Sequence, residues 1–354
     1  MNQNPLEMMI QPLIAWYQKN KRPLPWRNDP SPYHVWISEI MLQQTRIEAV
    51  IPYYERFLKE LPDIKSLAEV SDDQLMKLWE GLGYYSRARN LKKAAIAIVE
   101  HHGGKLPETA EALRKLSGIG DYTAGAIASI CFGKPEPAVD GNVLRVLMRY
   151  LGRDDDIAQQ STKKSVGEML RAVYPSGDDA KNLTQGIMEL GEAVCIPNGE
   201  AKCMLCPLAE NCVANQKNLK DVLPVKSAKK PRKQEEKTVF LLTCRGKYAI
   251  CKRPDKGLLA KLWEFPNTEG KLSENDALAY LQRKGLSPIR IMPSVDAVHI
   301  FTHIEWHMTG YTAECLQPIE IFVWKTAKEI LSDYAIPSAF RAYVAYMMQT
   351  ENLP

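Results

Sequence analysis

No stretch of this sequence stays apolar for the ~18–20 residues a membrane-spanning helix needs, which argues against a transmembrane protein. The first residues, Met1-Asn2-Gln3-Asn4-Pro5-Leu6-Glu7, lack a basic cluster ahead of an apolar core. No secretory leader is therefore expected, and the chain reads as cytosolic. Repeats at solenoid spacing are absent as well. Net charge is small, +4 with a pI near 8.5, too mild to mark a nucleic-acid binder by itself. What is present is an ordinary globular mixture, 45% hydrophobic and 25% charged, which excludes a disordered or fibrous chain. At 354 residues, the length suits about two domains.

The charge is unevenly placed. Lys plus Arg less Asp plus Glu comes to −2 over residues 1–215, +5 over 216–237 and +1 over 238–354. The basic stretch contains Lys229-Lys230-Pro231-Arg232-Lys233 and reads as a linker, either simply solvated or also touching phosphate. Before it, segments such as Ile47–Leu61, Leu91–His102, Tyr122–Cys131, Lys163–Tyr174 and Asn182–Val194 repeat apolar residues at three- and four-residue intervals, predicting helices. After it, β-rich runs at Thr238–Cys244, Tyr248–Lys252, Val295–Thr302 and Ile319–Trp324 predict strands, with helices at Glu274–Arg283 and Ser338–Met348. The organisation expected is an all-α domain over 1–215, a linker over 216–237 and a smaller α+β domain over 238–354.

Cysteine is sharper than charge. Four of eight cysteines fall within 18 residues as Cys195-x7-Cys203-x2-Cys206-x5-Cys212. In a reducing compartment such a cluster points to metal ligation before disulfides. Spacing alone leaves zinc and a [4Fe-4S] cluster both open. Upstream, Leu116-Ser117-Gly118-Ile119-Gly120-Asp121-Tyr122 joins two helical patterns through a Gly-x-Gly turn, where Gly118 and Gly120 leave amides uncovered for a phosphate. Twenty residues past Gly120 stands Asp140, in Pro137-Ala138-Val139-Asp140-Gly141-Asn142; alone it could simply cap a helix. Glu39 lies among Trp36, Ile37, Ile40, Met41 and Leu42, where desolvation would keep a carboxyl protonated.

Hairpin, then Asp, then four cysteines resembles the helix-hairpin-helix DNA glycosylases. Leu24-Pro25-Trp26-Arg27, Trp36 to Thr45 (WISEIMLQQT) and Gly81-Leu82-Gly83-Tyr84-Tyr85-Ser86-Arg87 narrow the likeness to their adenine DNA glycosylase subfamily. The likeness runs from about residue 12 to 225. It implies a mostly α helix-hairpin-helix domain, a six-helix lobe plus an iron–sulfur lobe, with a [4Fe-4S] cluster on Cys195, Cys203, Cys206 and Cys212. It implies a monomer acting on double-stranded DNA that holds adenine opposite 8-oxoguanine or guanine, and no membrane. By the same likeness Glu39 is the acid, Asp140 the anion, and Asn142 and Tyr122 orient groups around it. Trp26, Arg27 and Gln185 line the base pocket. Gln44 and Tyr84 fill the stack beside a flipped base, with Leu82 as a helper. Arg87 and Arg89, read from the residues alone, suit phosphate contacts or a solvated helix face.

In the C-terminal part, Gly257 to Pro266 (GLLAKLWEFP) resembles a strand of the Nudix fold. The acidic Arg-Glu-x-x-Glu-Glu helix that would hold Mg²⁺ for pyrophosphate chemistry is missing, which argues against nucleotide hydrolysis. Phe301-Thr302-His303 stands where the family has Phe-Ser-His at a lesion-reading tip, so the hydroxyl is kept and a methyl added. Two other readings are weighed: an endonuclease III-like enzyme for oxidised pyrimidines, and a DNA-binding module without catalysis. Tyr122 speaks against the first. Lyase-active relatives carry Lys there, and a phenol cannot form a Schiff base. Incubated with a mispaired duplex and borohydride, the protein is therefore expected to give no trapped covalent adduct; efficient trapping would refute monofunctional base removal.

Overall fold

The computed structural model describes residues 4–228 and 231–353, so Lys229 and Lys230 of the basic stretch lie outside the described residues. The chain divides into two compact units, Met1–Glu69 with Arg89–Ala228, and Val70–Ala88 with Lys229–Pro354. In chain order the helices of the first part are α1 (Pro5–Asn20), α2 (Pro25–Asn28), α3 (Pro32–Leu42), α4 (Ile47–Glu60), α5 (Ile64–Glu69), α6 (Asp72–Leu78), α7 (Ser86–His101), α8 (Ala110–Leu113), α9 (Asp121–Phe132), α10 (Gly141–Leu151), α11 (Gln160–Arg171), α12 (Asp178–Ala193) and α13 (Val213–Gln216). None among the described residues is long and apolar enough to cross a membrane.

The first unit is helical throughout. Leu13 and Ile14 of α1 meet Val143, Leu144 and Leu147 of α10, Val166 of α11 and Ile187 of α12 in one core. A smaller core joins Val35 of α3 to Ala126 and Ile130 of α9 and to Ala138. Two helices, α3 and α9, are buried almost all round, which is why their sequences carry no polar face. Gly118 turns the chain ahead of α9 with φ +78°, and a Cβ there would sit 2.7 Å from that of Asn90, so only glycine fits.

The second unit is built on a mixed sheet. Its strands are β1 (Lys233–Cys244), β2 (Lys247–Lys252), β3 (Trp263–Glu264), β4 (Asn267–Glu269), β5 (Pro288–Pro293), β6 (Ala297–Ile300), β7 (Ile304–Cys315) and β8 (Val323–Lys325), and its helices beyond α6 are α14 (Glu274–Arg283), α15 (Ala327–Asp333) and α16 (Arg341–Thr350). The main order is β3-β2-β1-β7-β5, with β4 on β1, β6 on β7 and β8 on β2. β1 runs parallel to β7 from Lys233 opposite Ile304 to Thr243 opposite Glu314. Its apolar run is continuous because both faces are covered. Val239 and Leu241 face Phe340, Tyr343 and Met347, while Phe240 and Leu242 face Ala277 and Leu281 of α14.

Three expectations shift. β1 begins at Lys233, five residues inside the stretch read as linker, because its backbone pairs with β7 whatever its charges. The start of that stretch is also held: Arg149 donates to the carbonyls of Lys220 (2.9 Å) and Leu223 (2.7 Å). The strand expected at Ile319–Trp324 shrinks to Val323–Lys325, since Phe322 N–H and Trp324 Nε1 both fold back onto the Ile319 carbonyl. In α9, a Cβ at Gly125 would lie 2.4 Å from the Pro137 carbonyl oxygen. Gly125→Ala is expected to cost about 2 kcal/mol in denaturant melts, despite the ~1 kcal/mol that alanine otherwise adds to a helix.

Candidate active site

Ser31 caps α3 and Pro32 opens it, so the helix starts firmly and carries Glu39 inward to 6% exposure. Asp140 caps α10: its Oδ1 accepts from Val143 N–H (2.8 Å) and its Oδ2 from Asn142 Nδ2 (2.9 Å). Capping and chemistry are compatible at this residue. Tyr122 projects from the first turn of α9 and donates its hydroxyl to Glu39 Oε2 at 2.7 Å. All four line one cleft of about 1160 Å³ within the first unit, together with Trp26, Arg27, Gln44, Gly120 and Gln185.

The two carboxyls sit in different surroundings. Burial pushes Glu39 up to about 7; the Tyr122 hydrogen bond and the Arg27 charge oppose this, and the Asp140 charge adds to it. Burial also raises Asp140, but Val143 N–H, the Asn142 amide and the Arg145 charge all favour its anion, as does the N-terminus of α10. Both carboxyls are thus raised: Glu39, at about 7, keeps part of its proton at neutral pH, while Asp140 holds the hydrogen bonds that favour an anion. Burial first, then the Glu39 charge, holds Tyr122 well above the ordinary phenol range, so it remains a donor.

Three partners of these residues were not anticipated. Asn142 Oδ1 accepts from Arg145 Nη2 (2.8 Å), and the same guanidinium reaches the carbonyls of Gly191 and Cys195. Glu189 is buried in the cleft wall and gathers Arg22 Nε (2.5 Å) and Arg27 Nη2 (2.8 Å). Burial alone would raise Glu189, yet these two arginines outweigh it and hold the carboxyl low. The available signal was an acid or a base inside an otherwise apolar helix face: Glu189 beside Leu190 in α12, and Arg145 among Val143, Leu144 and Val146 in α10.

The remaining expected residues divide. Gln44 is exposed with φ +59°, and Tyr84 is 46% exposed with φ +46°; both hold backbones that side chains rarely adopt. Leu82, by contrast, is only 6% exposed and packs inward, so it presents no wedge. Arg87 is 8% exposed, and its guanidinium donates to the carbonyls of Leu82 (2.9 Å) and Gly83 (3.1 Å) while stacking on Trp79 and Tyr84. That makes it a brace for the turn in place of the phosphate contact expected; burial pulls it down to about 10. In the second unit Phe301, Thr302 and His303 form the tip between β6 and β7, closed by Phe301 N–H on the Ile304 carbonyl. Thr302 and His303 are exposed, Phe301 packs edge-on against Trp306 (4.9 Å), and Thr302 Oγ1 shares a 2.7 Å hydrogen bond with the Tyr84 hydroxyl.

Cys195, Cys203, Cys206 and Cys212 line a small cavity of about 30 Å³. Among the described residues no group of three or more His, Cys, Asp or Glu side chains closes around one point as the shell of a single ion. Arg149 Nη1 lies 3.4 Å from Cys195 Sγ. Burial first, then the charges of the other three thiols, pushes Cys206 up to about 12, so four thiolates can crowd here only with cationic charge among them. The donor set therefore suits a metal group.

Residues 37–172 match the HhH-GPD superfamily of base excision DNA repair proteins, and residues 238–346 match the NUDIX domain family. The adenine DNA glycosylase of Buchnera aphidicola (subsp. Acyrthosiphon pisum) is 33% identical over 297 residues, spanning 84% of this chain and 83% of that relative. The chain belongs to the adenine DNA glycosylase family. The mouse adenine DNA glycosylase is 35% identical over 83% of this chain and 68% of its own, and the human one 32% identical over 94% and 73%. Among solved structures, a thermostable thymine-DNA glycosylase aligns with TM-score 0.53 and 25% identity, covering 60% of this chain and 97% of that one. An endonuclease III in a non-covalent DNA complex shares the fold at TM-score 0.51 and 21% identity, covering 62% and 100%.

For this member of the family the raised Glu39 has a stability consequence. A carboxyl whose folded value lies above its unfolded one favours folding most below the unfolded value, near 4.5, and loses that advantage as pH rises through about 7. Glu39→Gln is expected to match the wild type in urea melts near pH 4.5. It should exceed the wild type by roughly 3 kcal/mol above pH 8; a pH-independent difference would refute a raised Glu39.

Proposed function

We propose that this protein is a monofunctional glycosylase that hydrolytically removes adenine paired with 8-oxoguanine or guanine in duplex DNA, leaving an abasic site and an intact strand. The adenine must leave the stack, at a cost of a few kcal/mol. In the cleft, the Glu39 proton passes to adenine N7 and makes the base a better leaving group. The Asp140 carboxylate faces the cationic sugar that develops as the glycosidic bond breaks; water then adds at C1′ and passes its proton to a carboxylate of the cleft, which leaves the abasic sugar and restores the acid. Asn142 and Val143 N–H hold that carboxylate, and Tyr122 steadies Glu39. Two carboxyls in different surroundings, one serving as acid and one as anion, are the arrangement that glycoside cleavage uses. The observation that carries the reading is that Glu39 and Asp140 open into one cleft, Glu39 raised by burial to about 7 and Asp140 held by hydrogen bonds that favour its anion.

Gln44 and Tyr84 suit the role of wedges beside the flipped base, being exposed on strained backbones. Thr302, exposed at a hairpin tip, can accept from the N7–H that 8-oxoguanine has and guanine lacks. The four cysteines would hold a [4Fe-4S] cluster. The support is that the four cysteines line one cavity and that four thiolates in this chain order are the ligand set such a cluster takes. Such a cluster would hold its loop in shape against Arg149. The enzyme acts as a cytosolic monomer in this reading.

A DNA-binding module without catalysis is separated by two substitutions. Glu39→Gln and Asp140→Asn are each expected to slow single-turnover excision on an A:8-oxoguanine duplex by about a thousandfold or more while duplex affinity stays within a few-fold. The wild-type rate should fall about tenfold per pH unit above roughly 7, as Glu39 loses its proton. Unchanged rates in both variants would overturn the assignment.

A further inference from the structure

Residues 70–88 lie inside the helical half of the sequence, yet they cluster with the sheet of the second unit. The attachment is specific. Glu80 Oε1 accepts from Ile336 N–H at 2.8 Å, and its Oε2 accepts from Lys77 Nζ at 2.6 Å. Lys77 Nζ also donates to the Tyr334 carbonyl at 3.2 Å. One turn away, Asp73 Oδ1 accepts from Lys252 Nζ (2.9 Å) and Trp263 Nε1 (3.2 Å), and Trp263 stands edge-on to Tyr334 at 4.9 Å. Both ends of α6 are thus tied to the stretch between α15 and α16 and to the β2–β3 pair. The turn that follows is stiff from within: Trp79 is fully buried and donates to the Gly83 carbonyl, and Arg87 holds the carbonyls of Leu82 and Gly83. At its tip Tyr84 meets Thr302.

We propose that Glu80, supported by Asp73, is a specificity-determining positioning residue. It pins the Tyr84 turn to the second unit, so that the wedge and the Thr302 tip meet the base opposite adenine as one part. The proposal rests on the roles given above to Tyr84 and Thr302. Its physical content is that the Tyr84–Thr302 hydrogen bond joins two exposed side chains and would by itself be weak. Its geometry persists because the backbone beneath Tyr84 is held through half-buried Glu80, whose carboxylate takes a charge-assisted bond from a backbone N–H. Losing that anchor lets Tyr84 swing without emptying the adenine cleft, so discrimination should suffer before chemistry does.

The test uses the full chain and single-turnover excision on A:8-oxoguanine and A:G duplexes, with hydrogen exchange at residues 81–85. Glu80→Ala is expected to lower the ratio of the two rates about tenfold, to leave the A:G rate within about twofold, and to speed exchange of those amides. Glu80→Gln, whose amide oxygen still accepts from Ile336 N–H, should restore most of the ratio. Asp73→Ala, at a half-exposed site, should shift it in the same direction and serves if Glu80→Ala does not fold. An unchanged ratio, or an equal loss on both duplexes, overturns the proposal. Thr302→Ala separates the two levels. If it lowers the ratio while Glu80→Ala does not, only the positioning role falls; if neither lowers it, the lesion-reading role falls and takes the positioning role with it.

Discussion

A carboxyl keeps its proton at neutral pH only if water is kept away from it. The geometry of the helical unit follows from meeting that condition at Glu39. A helix able to carry an acid into such a place must be covered on nearly every side, and α3 is: Tyr33, Val35, Trp36, Ile37, Ile40 and Met41 are all buried around it. The same enclosure raises Asp140 as well, and the helix N-terminus, the Asn142 amide and the Arg145 charge offset only part of its desolvation. The contrast between the two acids is therefore made by backbone placement, and the side chains merely occupy it. Asn142 can point its amide toward Asp140 because Arg145 occupies its oxygen, and Arg145 in turn closes on the carbonyl of Cys195. The acid site and the cysteine loop share the wall of one helix, α10.

The second unit solves a different problem, presenting a short polar tip without letting it collapse. β7 is long enough to serve two purposes: its later half sits in the covered sheet, and its first residues carry the tip. Lys233 N–H bonds the His303 carbonyl and Arg232 Nε the Phe301 carbonyl, so the tip's backbone is held by the first residue of β1 and the one before it. Phe301 roots it from below on Trp306.

Much of this was legible in the order of residues. Glu39 announced itself as an acid in an apolar run, Asp140 by its proline and glycine flanks, and the four cysteines by their spacing. Helix positions followed from periodicity to within a few residues. What escaped was whatever depends on a partner distant in the chain. Glu189 finds Arg22 and Arg27 across more than 160 residues, and no local pattern names that pairing. Arg87 looked like a basic residue at an exposed helix start. Only the fold reveals that Trp79 and the carbonyls of the preceding turn draw it inside. The same turn hid its allegiance, since nothing between Val70 and Ala88 marks it as belonging with strands found 150 residues later.

The left-handed backbones at Gln44 and Tyr84 carry a cost of their own. Each holds a bulky side chain where glycine would rest at ease, a strain of roughly 1–3 kcal/mol apiece. A thermostabilisation campaign guided by backbone preference alone would nominate these positions for glycine, and it would gain melting temperature by discarding two side chains that the fold now presents to solvent.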